Sequence, residues 1–226
     1  MIKIAIDGPS GSGKSTLAKS LSKKLGYVYV DTGALYRSIG LYMLKNGIAL
    51  TDKDGIVSAL PSVKLELYHD ENGVQHVALN GNDVGDSIRT SEVSAAASAV
   101  SAIPEVRAFL LDTQRNMAKK SNVIMDGRDI GTVIFPDAQV KIFLIAGGQA
   151  RAVRRHAELI EKGESITLAQ VLADLEKRDV NDRTRKEAPA IPADDAVMLD
   201  NSDFTPEQTL AKALEIIDAK LNNSNI

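Results

Sequence analysis

A run of nine residues near the amino terminus, Gly8 to Thr16, has the composition and spacing of a phosphate-binding loop. Its sequence, GPSGSGKST, fits the pattern G-x-x-x-x-G-K-[ST] at every fixed position. Glycines let successive backbone N–H groups turn inward around phosphate oxygens, Lys14 would offset phosphate charge, and the Ser15 hydroxyl suits Mg²⁺. We therefore expect a nucleoside triphosphate to bind here, and the alternative is a glycine turn without a ligand. The expected binding residues are Gly8, Pro9, Ser10, Gly11, Ser12, Gly13, Lys14, Ser15 and Thr16.

A second stretch, DTGALYR from Asp31 to Arg37, follows an apolar run that reads as a strand. Ligands of open α/β sheets bind beyond the carboxyl ends of the strands, which is where this stretch would begin. Asp31 could meet Mg²⁺ or its waters, Arg37 could form a forked contact with phosphate, and Tyr36 could line a sugar or base. The alternative is a helix cap at Asp31 or Thr32 together with a solvated arginine.

A third stretch, IMDGRDIGTVIFPDA, places charged residues at the end of another predicted strand. Asp126 resembles the acid that contacts Mg²⁺ directly or through water in phosphate-binding-loop proteins. Arg128 and Asp129 then offer a cation for phosphate and a carboxylate that can accept from an exocyclic amine. An ordinary loop salt bridge is the alternative for this pair. The expected Mg²⁺ contacts are Ser15, Asp31 and Asp126.

Arginines recur in the second half of the chain, with Asp179 and Asp182 among them. Phosphoryl transfer concentrates negative charge on the moving group, so positioned arginines are an expected catalytic device, and a closing arginine-rich lid would exclude water. A basic helix face, solvated or bound to RNA, is the alternative for the first cluster, and a salt-bridged helix end for the second. The arginines are Arg151, Arg154, Arg155, Arg178, Arg183 and Arg185. The histidines share no metal-ligand spacing, and we expect surface or strand roles for His69 and His76.

Strands and helices alternate through most of the chain, which favours a parallel sheet with helices on both faces. Five apolar runs, IKIAI, YVYV, NVIMD, VKIFLI and AVMLD, predict the strands. Helices are predicted by leucine stripes and by capping boxes that begin at Thr167 and Thr205. Residues 63–84 instead alternate polar and apolar positions and contain the turn signals Asn72-Gly73 and Asn80-Gly81, which predict an antiparallel hairpin or meander. We place this insertion at about residues 60–98, within a core of residues 1–59 and 99–226.

The composition is that of an ordinary globular protein. The 226 residues carry a net charge of −3, with 44% hydrophobic and 25% charged residues. The net negative charge argues against extensive binding of nucleic acid. With no cysteine, disulfides, thiolate metal sites and cysteine nucleophiles are excluded. No apolar run approaches the roughly 18 residues of a membrane span, and the amino terminus has no signal-peptide core. We expect a cytoplasmic protein without membrane or nucleic-acid partners.

The order of the motifs DGPSGSGKST, DTGALYR, DGRDIGTVIFPDA, KIFL and KRDVNDRTR resembles the bacterial cytidylate kinase family, from about Ile2 to Leu221. The phosphate-binding loop alone is common to many families, whereas the other motifs together are far more specific. This resemblance implies the reaction of ATP with CMP to give ADP and CDP, with dCMP also accepted and Mg²⁺ required. It also implies a fold of the phosphate-binding-loop type, with an enlarged nucleotide-binding insert and a short lid, at residues 148–164. We further expect a monomer.

The resemblance also implies roles for individual residues. Ser98, Arg107 and Asp129 would read the cytosine edge, and Arg37 and Arg128 would hold the acceptor phosphate. Arg151 and Arg154 would belong to the lid. Residues around the sugar and phosphate would be Tyr36, Arg178, Asp182 and Arg185, and Thr32 stands where the family often has serine. The expected catalytic residues are Lys14, Arg128, Arg151, Arg154, Arg178 and Arg185.

Other functions are compatible with a phosphate-binding loop. Switch GTPases add an N-K-x-D motif that this sequence lacks, and the chain is short for a motor ATPase, so a small kinase is favoured. A kinase for UMP, AMP or a non-nucleotide acceptor is the nearest alternative. A slow nucleotide switch and an RNA-binding protein are the others, although aromatic residues for base stacking are only 4% of the chain.

Overall fold

A computed structural model describes residues 1–71, 74–119 and 121–223 of the chain. The strands are β1 (Lys3–Asp7), β2 (Val28–Asp31), β3 (Leu65–His69), β4 (Gln75–Leu79), β5 (Asn82–Asp83), β6 (Val123–Gly127), β7 (Val140–Ile145) and β8 (Val197–Asp200). The α-helices are α1 (Lys14–Leu25), α2 (Thr32–Lys45), α3 (Lys53–Ala59), α4 (Ser91–Ser101), α5 (Pro104–Met117), α6 (Gly148–Glu161), α7 (Leu168–Thr184) and α8 (Pro206–Asn223).

Five strands form a parallel sheet in the order β2-β6-β1-β7-β8. Because both faces are covered, β1 is apolar on both sides, as a buried parallel strand requires. Ile4 and Ile6 pack towards Leu21 of α1 and Ile217 of α8. Ala5, between them, belongs to the cluster on the opposite face, which residues of β6 and of the segment after it complete. The predicted five-stranded parallel sheet with helices on both faces is confirmed.

The antiparallel insertion is also present, as a three-stranded sheet in the order β3-β4-β5. Asn80 and Gly81 both have positive φ values, 49° and 82°, which suit the tight turn between β4 and β5. The other predicted turn, Asn72-Gly73, lies outside the described residues. The inner side of this sheet joins an apolar cluster that also includes α2, α3, α4 and α5.

Helices α2 and α4 approach each other closely because the facing residues are small. A Cβ atom placed on Gly40 of α2 would lie 3.0 Å from the Cβ of Ala96 on α4. This contact sets the distance between the two helices. It thereby fixes where α4 presents Ser98, two residues further along, next to the carboxyl edge of the main sheet.

Helices α6 and α7 form a hairpin with a small apolar cluster of its own, which includes Leu159, Val171 and Leu175. The predicted capping box is present, since the Thr167 hydroxyl accepts from the Gln170 N–H and the Gln170 side chain accepts from the Thr167 N–H. The Thr205–Gln208 box at the start of α8 is present as well. Helix α7 runs to Thr184, so most of the KRDVNDRTR motif is helical.

Several short elements were not predicted from the sequence, among them helix α3 and the turn after Asp129. Helix α3 is short and capped by the Asp52 side chain, which accepts from the Gly55 N–H. The residues after Asp129, Ile130–Ile134, form a single π-helical turn. Within the part of the chain that the structure describes, no single helix is long and apolar enough to cross a membrane; the pair α4 and α5 passes that test only when joined across its 99° bend.

Candidate active site

A cleft of about 680 Å³ opens at the carboxyl ends of the parallel strands, where ligands of such sheets bind. Its walls come from the glycine loop, the start of α2, the end of β6, and helices α4 to α7. Most of the residues predicted for the site line it. These are Ser10, Gly11, Gly13, Lys14, Ser15, Thr16, Asp31, Thr32, Tyr36, Arg37, Ser98, Arg107, Asp126, Arg128, Asp129, Arg154, Arg178, Asp182 and Arg185.

The cleft lining does not include four of the predicted binding or catalytic residues, Gly8, Pro9, Ser12 and Arg151. Gly8 lies against β7, where an added Cβ would stand 2.0 Å from the Leu144 carbonyl oxygen. The Pro9 carbonyl accepts from Lys14 and Ser12. Arg151 is 7% exposed, with its guanidinium bound to Asp179 of α7 at 2.6 Å and to the Ser10 carbonyl at 2.9 Å. It therefore fastens α6 to α7 and to the glycine loop.

The glycine loop is shaped to bind an anion. Gly11 and Gly13 have φ values of 74° and 90°, which residues with a side chain rarely adopt. Gly13 caps α1 without any side-chain hydrogen bond, so the first N–H groups of the helix face the cleft. Lys14 is buried, and its ammonium donates to the Pro9 carbonyl at 2.6 Å. Burial and the nearby Arg128 lower its pKa well below the usual value, an effect that an anionic ligand would reverse.

A hydroxyl and a carboxylate meet beside this loop. Ser15 donates its hydroxyl to Asp126 at 2.9 Å, and the buried Tyr29 hydroxyl donates to the other oxygen of Asp126 at 2.8 Å. Burial and the neighbouring Asp31 raise the pKa of Asp126, so a cation there would favour its ionised form. No cluster of three or more acidic or histidine side chains suited to a metal occurs among the described residues. Ser15 and Asp126 fit Mg²⁺, which usually takes few protein ligands and completes its shell with water and phosphate.

Asp31 is engaged in a different way. Its carboxylate accepts from the Ala34 N–H at 3.0 Å, which caps α2, and from Arg37 at 2.8 Å. Burial opposes its ionisation, but Arg37 and the Ala34 N–H outweigh burial and hold the pKa of Asp31 below the ordinary value. The cap at Asp31 was part of the alternative interpretation of this motif, but Arg37 is paired with Asp31 and not solvated, and the contact of Asp31 with Mg²⁺ or its waters stays a prediction. Thr32 donates its hydroxyl to the Asp126 carbonyl, which ties the start of α2 to the end of β6.

A network of paired charges forms the opposite wall. Asp129, 3% exposed, pairs with Arg107 of α5 and lies 3.7 Å from Arg185. Arg128 donates to Asp182 of α7 at 2.9 Å. Burial raises the pKa of Asp129, and Arg107 partly offsets that effect. The network joins residues of α5, α7 and the end of β6, which lie far apart in the sequence.

Arginine is in surplus in the cleft. Among the described residues, eleven Lys or Arg side chains line it, against five carboxylates. Three buried guanidinium nitrogens, Nε of Arg37, Nε of Arg178 and Nη2 of Arg185, have no hydrogen-bond partner within the described part of the chain. Burial and the adjacent Arg128 lower the pKa of Arg178 to about 10. Buried N–H groups without a hydrogen-bond acceptor are costly, and together with the surplus of positive charge they favour binding of an anionic ligand.

The arginines of the α6–α7 hairpin are divided between the two sides of that hairpin. Arg154 and Arg155 line the cleft, and Arg154 donates to the Asn201 carbonyl at 2.8 Å. The loop between α6 and α7 reaches α4, where Glu164 accepts from the Ser91 hydroxyl at 2.5 Å. Arg183, by contrast, is exposed and lies outside the cleft lining.

Sequence reasoning missed several residues in or beside the cleft, among them Asp7, Asn201 and Arg89. Asp7 ends β1 and is buried, with its two carboxylate oxygens accepting from the N–H groups of Ile130 and Gly131 at 2.8 and 2.7 Å. Asn201 directly follows β8 and donates to the Ser12 carbonyl. Both could have been found from the rule that ligands bind at strand ends. Arg89, an exposed cleft residue just before α4, has no such signal in the sequence.

Comparisons with known proteins identify the family of the chain. The cytidylate kinase family model matches residues 4–219. Cytidylate kinases from Caldicellulosiruptor bescii and Carboxydothermus hydrogenoformans are 47% and 45% identical to the chain, over 98% and 97% of it and 98% of each relative. A gluconokinase structure from Sinorhizobium meliloti, 15% identical, shares the fold with a TM-score of 0.52 over 99% of this chain and 95% of that one. The chain thus belongs to the cytidylate kinase family of phosphotransferases.

Proposed function

We propose that this protein transfers the γ-phosphoryl group of ATP to CMP, and also to dCMP, with Mg²⁺ as the required metal ion. The observation that supports it most directly is the cleft itself. An anion-binding glycine loop forms one wall, and the other contains buried guanidinium groups, three of which keep a nitrogen without a hydrogen-bond partner among the described residues. Two anions must be held face to face for this reaction, and their mutual repulsion has to be offset by fixed positive charge.

The donor side would be formed by the glycine loop and α1. Backbone N–H groups at the start of α1 would bind the phosphates of ATP, and Lys14 would neutralise the β and γ phosphates. Ser15 and Asp126 would hold Mg²⁺. When bound, this ion supplies charge neutralisation at the β and γ phosphate oxygens.

The acceptor side would be formed by Asp129 and the surrounding arginines. The Asp129 carboxylate would accept a hydrogen bond from the exocyclic amine of cytosine, with Arg107 and Ser98 beside it. Arg37 and Arg128 would bind the phosphate of CMP, because guanidinium groups match phosphate oxygens with forked hydrogen bonds. Tyr36, Arg178, Asp182 and Arg185 would enclose the sugar and phosphate.

The transfer needs no general base from the protein. An ionised oxygen of the CMP phosphate forms a bond to the γ phosphorus while the bond from that phosphorus to the ADP oxygen breaks. Arg154, Arg178 and Arg185 would stabilise the charge on the moving group, and Arg151 would act by fastening the α6–α7 hairpin. We propose that closure of that hairpin and of the insertion, residues 60–98, excludes water from the reaction.

The test is ADP release from ATP and Mg²⁺ with CMP, dCMP, UMP, AMP or GMP as acceptor, together with a blank without acceptor. Strong signals with CMP and dCMP and a nearly silent blank are expected. A much higher kcat/KM with another acceptor would contradict the base-reading role of Asp129. Activity in the blank alone would mean that water is the acceptor, and the proposal would fail.

A further inference from the structure

Strand β2 lies at one edge of the parallel sheet and has a neighbouring strand, β6, on only one side. The backbone groups of alternate residues in a strand face the same edge, so one set pairs with β6 and the other faces outward. An outward-facing N–H or C=O that is removed from water needs another partner. The outward-facing residues here are Tyr29 and Asp31.

Two side chains of the inserted sheet provide those partners. His69 lies 3.0 Å from the Tyr29 carbonyl oxygen through its Nε2, which must carry the proton to donate to it. The Gln75 side-chain oxygen accepts from the Asp31 N–H at 2.8 Å, and its nitrogen lies 3.5 Å from the Asp31 carbonyl oxygen. His69 and Gln75 face each other across β3 and β4 as a register pair. This pair therefore occupies the place that a further strand would take.

The same two residues of β2 send their own side chains into the active site. The Tyr29 hydroxyl donates to Asp126, and the Asp31 carboxylate accepts from Arg37. Side chains two residues apart in a strand lie on the same face, so a shift of this strand end would move both contacts together. The position of the inserted sheet is in this way linked to the guanidinium of Arg37.

We propose that Gln75 and His69 are positioning residues, which dock the inserted sheet on the edge of β2 and thereby hold Arg37 in place for the acceptor phosphate. This inference rests on the proposed function, because it assigns Arg37 to that phosphate. Gln75 makes the shorter contact, and it acts on Asp31, the direct partner of Arg37.

The hydrogen bond between Gln75 and Asp31 is better suited to positioning the end of β2 than to stabilising the fold. The inserted sheet already packs into the large apolar cluster through Val77 and Leu79, both buried. Gln75, in contrast, is half-buried at the start of β4. Loss of its amide should therefore leave the cluster intact and loosen only the strand end to which it is bound.

The experiment compares Gln75→Met, which keeps the length of the side chain but removes its amide, with Glu66→Met on the exposed face of the same hairpin. For Gln75→Met we expect the KM for CMP to rise about fivefold, the effect of one lost hydrogen bond, while the KM for ATP stays within about twofold. By NMR, hydrogen exchange of the Asp31 amide should become about tenfold faster. Glu66→Met should leave all three quantities unchanged.

A second variant, His69→Phe, removes the contact to the Tyr29 carbonyl and should raise the KM for CMP in the same direction. An unchanged KM for CMP in both variants, or equal changes in the KM values of both substrates, would overturn the inference. So would a lower melting temperature without a change in KM, since that result marks a purely structural role. If the unaltered enzyme does not phosphorylate CMP, the proposed function itself fails, and the link from Gln75 to an acceptor phosphate fails with it.

Discussion

The carboxylates of the cleft differ in whether their hydrogen-bond donors and cationic neighbours outweigh the effect of burial on their pKa. Arg37 and the Ala34 N–H hold the pKa of Asp31 below its ordinary value, and Arg128 does the same for Asp182 against the effect of burial. At Asp129 burial prevails over Arg107, and the pKa is raised. An exocyclic amine that donates to Asp129 would favour its ionised form. Binding of cytosine would thus lower the raised pKa of Asp129, the residue assigned to base reading.

Replacement of Asp129 should impair the use of CMP far more than the binding of ATP. Asp129→Ala leaves Arg107 without its buried partner and removes the acceptor for the cytosine amine, so we expect kcat/KM for CMP to fall about 100-fold. ATP affinity, measured by titration calorimetry, should change less than about threefold. Lys14→Ala should instead impair phosphoryl transfer from ATP at saturating CMP. Equal loss of ATP binding in both variants would argue against separate donor and acceptor sides.

Some of these roles could be predicted from residues alone, and others could not. Lys14, Ser15 and Asp126 occur in local motifs whose spacing follows from phosphate binding, and the structure places all three in the cleft. Ser98 and Arg107 came only from the resemblance. They lie on α4 and α5, and whether such helices face the cleft depends on packing against α2, for which the local sequence holds no signal.

At the scale of elements, one side chain joins the start of the glycine loop to the segment that carries Asp129. Asp7 ends β1, and its carboxylate accepts from the first two N–H groups of the turn Ile130–Ile134. The sequence TVIFP in this region is rich in β-branched and aromatic residues and does not by itself suggest a helical turn. Because the cap comes from a residue more than 120 positions away, local sequence could not have revealed it.

Asp7 should make stability depend on pH. Burial raises its pKa from 3.8 to about 6, so the folded state binds the proton more tightly than the unfolded state. The stabilisation that comes from this tighter proton binding is fully present below pH 3.8 and is lost as the pH rises through about 6. The free energy of unfolding should fall by about 3 kcal/mol over this range. Asp7→Asn cannot ionise and should lack this component.

The measurement is urea unfolding of both proteins between pH 4 and pH 7.5. The free energy of unfolding of the variant, relative to that of the unaltered protein, should rise with pH over this range. Asp218→Asn, at an exposed position of α8, serves as the control and should show no such trend. A constant difference for Asp7→Asn would show that the ionisation of Asp7 is not coupled to folding.

The molecule as a whole separates its charges. It carries a net charge of −3, although the cleft is lined by a surplus of Lys and Arg side chains. The residues outside the cleft lining therefore carry a net negative charge, and an excess of positive charge is concentrated in the concave site. Such an arrangement attracts small anions into the cleft.

Association with both nucleotides should consequently weaken in salt. Between 50 and 500 mM KCl, we expect kcat/KM for CMP to fall about tenfold, because screening shortens the reach of the cleft potential. The value of kcat at saturating substrates should change far less, since charges that would contact bound phosphates, such as the buried Lys14, are poorly screened by salt. Steady-state rates at several salt concentrations would test this. A salt-independent kcat/KM would mean that the arginines act only at contact distance.

The docking of Gln75 and His69 on β2 also affects how copies of this protein behave towards one another. An uncovered strand edge is a template on which a strand from another chain can add, which leads to aggregation. Here the Tyr29 carbonyl and the Asp31 N–H are already occupied by side chains. The same contact that orders the active site thus keeps one edge of the sheet from recruiting foreign strands, and a variant without it would be expected to lose solubility at high concentration.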